Sequence, residues 1–193
     1  MMFSKRFYII NRETVCLFSE YDKQGNENTR VIEGKDSILV KKPIKDVLEE
    51  SFNYYARDLD GAIVGARSIL GGKYFLPVAL NAEHGIILAP FHTSNSKKKI
   101  WIVTPKIIRP EVISNKKTIL HLMHGHSITI SLKSEQVDKR RGYAAVLQIT
   151  LQVRHTIEKS RTLLYEPGSG LTIIEEKGEY NLHLRKEGKE EEE

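Results

Sequence analysis

The segment LHLMHGHSITISL, residues 120–132, decides the fold class. Leu120 and Leu122 alternate with polar residues, Gly125 supplies a turn, and Ile128, Ile130 and Leu132 resume the alternation. Successive side chains of a strand point to opposite faces, so this two-residue period predicts a β-hairpin with one buried face. Ser134 then stands as a helix cap. Val146, Ile149, Val153, Ile157 and Leu164 follow on one helical stripe, which predicts a long helix near 135–163. Gly142 and the β-branched residues lower its intrinsic propensity. A hairpin followed by a long helix points to an α+β fold with antiparallel-rich sheets.

Upstream, residues 6–18 mix aromatic and β-branched types and read as a strand, and 22–28 as a polar turn. Strand signals return at 29–33 and 37–41. Pro43 opens a short helix near 44–55, with Ile44, Val47, Leu48, Phe52 and Tyr55 on one face. Glycines interrupt 58–72 and predict a loop holding about one helical turn. Residues 74–80 and 85–89 read as strands around Asn81–His84, and 94–99 as a lysine-rich loop. A strand over 100–108 is interrupted by Pro105, as an edge or bulge would be. Past a turn at 167–170, short strands are expected at 171–175 and 180–184. With no repeat or linker visible, residues 1–185 read as one domain and 186–193 as an acidic tail.

The chain has 193 residues, 40% hydrophobic and 28% charged, which suits a globule with a substantial core. Apolar runs such as Ile86–Ala89 and Tyr143–Leu147 are too short to span a bilayer, and the N-terminus lacks a secretory apolar region. Cys16 is the only cysteine, so no intrachain disulfide forms; within Val15–Phe18 it reads as a buried apolar residue. A cytoplasmic, nucleoid-associated protein is expected. The tail Lys186–Glu193 holds two lysines and five glutamates, leaving +8 on the preceding residues against +5 overall. A basic body with an acidic end suggests a polyanionic partner and a tail that either competes for the same surface or aids solubility.

Two basic clusters stand out. Lys97, Lys98 and Lys99 continue through Lys106, Arg109, Lys116 and Lys117, and Lys139, Arg140 and Arg141 begin the long helix. Neutralising phosphates releases counterions, so such clusters give affinity without base reading, although a solvated surface has the same composition. Arg57 and Arg67 bracket the glycine-rich segment and Lys73 follows it; an exposed loop there could lay arginine into a narrow groove, or Arg57 could pair with Asp58 or Asp60. Trp101, between Ile100 and Ile102, reads as core, and Tyr54 and Tyr55 as a helix end packed on a sheet. His121, His124 and His126 flank the turn without a completing ligand, and Asp58 with Asp60 lacks a third carboxylate or a lysine. No catalytic residue, metal site or cofactor is therefore assigned. Helix-turn-helix, zinc-finger, basic-zipper and RNA-recognition signatures are absent, so any DNA binding lies outside the common major-groove motifs.

The ordered set Ser51, Tyr54-Tyr55, Gly61, Gly65, Pro77, Ile86-x-Leu88-x-Pro90, Ser94 and Trp101-Ile102 resembles ComK, the competence transcription factor of Bacillus and its relatives. Ile10-Asn11, Thr14-Val15, Lys42-Pro43 and Val47 extend the resemblance upstream, and the hairpin around Gly125 extends it downstream. It fades after about residue 164. The resemblance implies an activator of competence genes that binds paired A/T-rich boxes of double-stranded DNA through the minor groove, as dimers or tetramers. RNA polymerase and a proteolytic adaptor are its implied protein partners. A-tracts narrow the minor groove and deepen its negative potential, which suits arginine on a loop flanked by lysines. Arg57, Arg67, Lys73, Lys97, Lys98, Lys99, Lys139, Arg140 and Arg141 are the DNA-binding candidates. One departure is notable: the family pattern has a basic pair after Gly61, where this chain has Ala62-Ile63. The alternative is a family member that regulates the activator through mixed dimers without binding DNA strongly.

Overall fold

The computed structural model describes residues 2–72, 74–93, 97–160, 172–176 and 179–183, with side chains between 4 and 156. It divides into two compact units, 1–155 and 156–193. In the first, β2 (Thr14–Tyr21), β3 (Glu27–Glu33) and β4 (Asp36–Val40) form an antiparallel meander, and β1 (Met2–Lys5) joins β4 in parallel. After α1 (Ile44–Tyr54) and α2 (Leu59–Leu70), β5 (Val78–Asn81), β6 (Ile86–Pro90) and β7 (Ile100–Val103) complete a seven-stranded sheet of order β1-β4-β3-β2-β7-β6-β5. A second sheet orders β10 (Ser127–Ile130), β9 (Lys117–Leu122) and β8 (Ile107–Ser114), and α3 (Ser134–Ser160) follows. The fold is α+β and antiparallel-rich, with the short and long helices where the patterns put them. The second unit holds the hairpin of β11 (Thr172–Glu176) and β12 (Glu179–His183), matching the two expected strands.

Pleating sorts the core. Leu17, Leu88 and Val103 join one cluster with Ile44, Val47, Leu48 and Phe52 of α1. Their neighbours Cys16, Ala89 and Ile102 face the other way, onto Leu120, Leu122 and Ile130 of the small sheet and Val137 of α3. The large sheet is covered on both faces, which is why β6 is buried along its whole length. Burial pushes the Cys16 thiol up to about 12, an inert thiol in an apolar setting.

Five expectations are corrected. The strand over 6–18 is broken, because side chains replace the ladder: the Ile10 N–H donates to Ser51 Oγ (3.1 Å) and the Asn11 N–H to Thr14 Oγ1 (3.0 Å). The 58–72 loop is instead the helix α2. Asp58 caps it by accepting the Gly61 N–H, and Gly71 ends it in the left-handed region at φ 66°. Packing of Ala66, Ile69 and Leu70 outweighs the cost of two internal glycines. The strand expected over 74–80 is confined to Val78–Asn81. On α3, Val146, Ile149 and Val153 are exposed, while Val137, Arg140, Ala144 and Leu147 are buried. Pro105 interrupts as expected, in a 3-10 turn between β7 and β8. Ser134 is the first residue of α3 rather than its cap, and the Lys133 N–H donates to Gln136 Oε1 (3.1 Å).

Candidate nucleic-acid interface

His92, just beyond β6, is the joint of a basic rim. It lines a depression of about 230 Å³ with Arg67, Phe75, Leu76, Pro90 and Trp101. It also lines a second, of about 360 Å³, with Lys98, Lys99, Phe18 and Ile128. Its ring meets Phe75 edge-on at 5.6 Å between centroids, and its Nδ1 lies 3.3 Å from Ile100 O. Burial, then the charges of Arg140 and Lys99, hold its pKa below the ordinary value. A half-buried neutral imidazole therefore sits among cations.

Arg140 departs from its expected place as a DNA contact. It is 7% exposed, donates from Nη1 to Pro90 O (2.5 Å) and His92 O (3.1 Å), and stacks 4.4 Å over the Phe75 ring. Burial lowers its pKa to about 10, still charged at neutral pH. Phe75 has φ 54°, unusual for a bulky residue, so the ring contacts on both sides hold a strained backbone. Tyr74, the residue before Phe75 in the chain, is 81% exposed. Sequence reading missed Tyr74, since no periodicity distinguishes an outward aromatic from a strand residue.

The other cations divide. Lys139 reaches 5.6 Å over Tyr143, whose ring lies 4.0 Å from where a Cβ on Gly72 would sit, close to Leu76 of the rim. Lys97 is exposed, and its carbonyl accepts from Tyr21 Oη (3.1 Å). Lys99 pairs with Glu27 at 3.7 Å, which moderates the local charge. Arg141 pairs with Asp138 (3.6 Å) and lines a separate depression with Pro105 and Gln148. Arg57 donates from Nη1 to Leu80 O (2.7 Å) rather than to Asp58 or Asp60, and faces a groove of about 440 Å³ with Arg154, Gly65 and Leu151. Lys73 and residues 184–193, with the acidic tail, lie outside the described residues.

The remaining motifs have local partners. His121 binds Glu111 at 2.7 Å, His124 lies 3.9 Å from Glu13, and His126 Nε2 contacts Gly34 O at 2.8 Å. Asp58 is occupied as the α2 cap. Trp101 is half-buried rather than core, and Tyr54 is exposed while Tyr55 packs against the main cluster. Among the described residues no helix is long and apolar enough to cross a membrane, and no group of three candidate ligands could hold a metal.

A family model described as ComK protein matches residues 5–156. The chain belongs to the ComK family. ComK proteins are competence-type transcription factors rather than enzymes. No curated protein and no solved structure matches the chain. The residues that carry the ComK pattern hold this scaffold together. Ser51 joins α1 to the N-terminal segment, donating to Val47 O (2.7 Å) while accepting from Ile10. Gly61 leaves room for the Asp58 cap, which a Cβ would approach at 3.0 Å. Pro90 presents the carbonyl that Arg140 holds.

Proposed function

We propose that this ComK-family chain activates competence genes by binding A/T-rich double-stranded DNA through the minor groove, as a dimer or pair of dimers. The observation that carries the reading is the convergence of Arg67, Lys98 and Lys99 around His92, with Tyr74 exposed beside them. Arg67 and Tyr74 enter the groove, where arginine meets its negative potential and an aromatic ring can wedge a flexible step. Lys97, Lys98, Lys99 and Lys139 hold phosphates, fixing register without reading bases. Arg140 is a positioning residue that keeps Phe75, and through it Tyr74, in place. RNA polymerase and a proteolytic adaptor are the protein partners of this reading, and the nucleoid its location.

The test is binding to a duplex with two A/T boxes and to a G/C-rich control at two salt concentrations. Preference for the A/T duplex and strong weakening by salt support the proposal; equal binding, or no salt effect, refutes it. One observation favours a second reading. Ala62 and Ile63, where the family resemblance implies a basic pair, pack against the main core. A member lacking that pair could act through mixed dimers with a DNA-binding relative. Failure to retard DNA, together with co-purification with a ComK protein, would support that role.

A further inference from the structure

The helix α3 is apolar on two opposite sides. Its inner side buries Val137, Ala144 and Leu147, and is fixed further by Gln152 Nε2 donating to Ala82 O (3.0 Å) and His155 on Glu83 (2.7 Å). At about 100° per residue, Val146, Ile149 and Val153 fall roughly half a turn away. They are 50%, 59% and 51% exposed. Gly142 continues the stripe, and a Cβ there would meet nothing within 4 Å. The steps from 142 to 146, 149 and 153 alternate four and three, the a/d spacing of a helix–helix seam. Ala145, Thr150 and Thr156 flank it, so no charge interrupts this side between 142 and 153, and charge returns on the same line only toward the helix start, at Lys139 and Glu135. A helix side left to water ordinarily carries charge, and valine and isoleucine there lower helix propensity.

We propose that this stripe is a self-association surface, on which α3 of a second copy lies antiparallel about a two-fold axis. The proposal deepens the reading above by naming the surface of its dimer. A heptad seam is complemented by another heptad seam. The apolar sides of α1 and α2 are already packed in the core, so among the described helices only α3 offers one. Antiparallel pairing sets Val146 against Ile149 of the second copy and Gly142 against Val153, small against large. It also opposes the two helix dipoles and brings no like charges together in the seam. The seam spans only about two heptads, so association is weak and concentration-dependent, and a duplex with two boxes strengthens it by holding two copies close.

The test is sedimentation equilibrium of the full chain and of its Ile149→Asp, Val146→Lys and Ile149→Leu variants, each checked by thermal melting. The wild type is expected to dimerise reversibly and Ile149→Leu to follow it. Each charged variant should raise the dissociation constant by at least about 30-fold, since a buried charge at the centre of an interface is unpaired. Both sites are exposed in the single copy, so the monomer fold should survive; two charged variants guard against one misfolding. A wild type that stays monomeric throughout its soluble range, or charged variants that dimerise like it, overturns the proposal. Duplex binding separates this from the DNA reading: the monomeric variant should still retard a one-box duplex yet lose cooperativity on two boxes. If the charged variants abolish the dimer while the wild type retards no DNA, the surface stands and the DNA reading falls.

Discussion

Arg140→Met removes the guanidinium that joins α3 to the end of β6, and its cost can be worked from the neighbours it holds. Nη1 donates to two main-chain carbonyls, and a hydrogen bond from a charged donor contributes about 1.5–3 kcal/mol. Stacking on Phe75 at 4.4 Å adds about 2 kcal/mol when desolvated. Against this stands the cost of burying the charge, several kcal/mol in its own right. Methionine restores much of the apolar volume but leaves both carbonyls without this donor. The balance predicts a loss of about 3 kcal/mol, measured by urea unfolding. At about 2–4 °C per kcal/mol for a unit of this size, the melting temperature should fall by about 6–12 °C. Arg140→Lys keeps the charge but not the planar face, and should cost about half as much. Phe75, freed from one ring neighbour, should relax from its positive φ and loosen Tyr74, so DNA affinity falls together with stability. A variant within about 1 kcal/mol of wild type would refute this reasoning. So would one of unchanged stability that loses DNA affinity, since Arg140 would then touch DNA itself and not act as a support.

Two further outcomes follow from local geometry. Asp58→Ala should destabilise by about 1 kcal/mol, or about 2–4 °C, through loss of the α2 cap; no change in a thermal melt would mean the cap is idle. His92 is held neutral below its ordinary value of 6.5, so the unfolded chain takes up a proton at a higher pH than the native protein does. Stability should therefore fall as pH drops below about 6.5, and level off only beneath the native pKa. His92→Gln should flatten that limb of the melting-temperature profile, and an unchanged slope would contradict it.

Much of the fold was legible because its signals are local. The β9–β10 hairpin announces itself by a two-residue period around Gly125, and α1 by Pro43 with a single apolar face. The helix α2 was hidden because its glycines act locally against a helix, while the Asp58 and Gly71 caps and the packing of Ala66 outweigh them only in the folded chain. The helix α3 was legible in extent but not in facing. Periodicity marks a stripe at Val146, Ile149 and Val153 without saying what it touches, and the buried side runs through Arg140 and Ala144 instead. The cations were legible one by one. Their grouping was not, because His92, Phe75 and Arg140 are brought together by chain segments distant in sequence.

The most direct measurement compares Arg67→Gln/Lys98→Gln/Lys139→Gln with Arg57→Gln, as binding to a two-box A/T duplex across a salt series. The account predicts that the triple variant binds much more weakly and that its logarithmic salt slope is shallower by about 0.9 for each phosphate no longer neutralised, while Arg57→Gln matches wild type. A triple variant with wild-type affinity and slope, or an Arg57→Gln defect as large, would contradict a DNA-binding rim centred on His92.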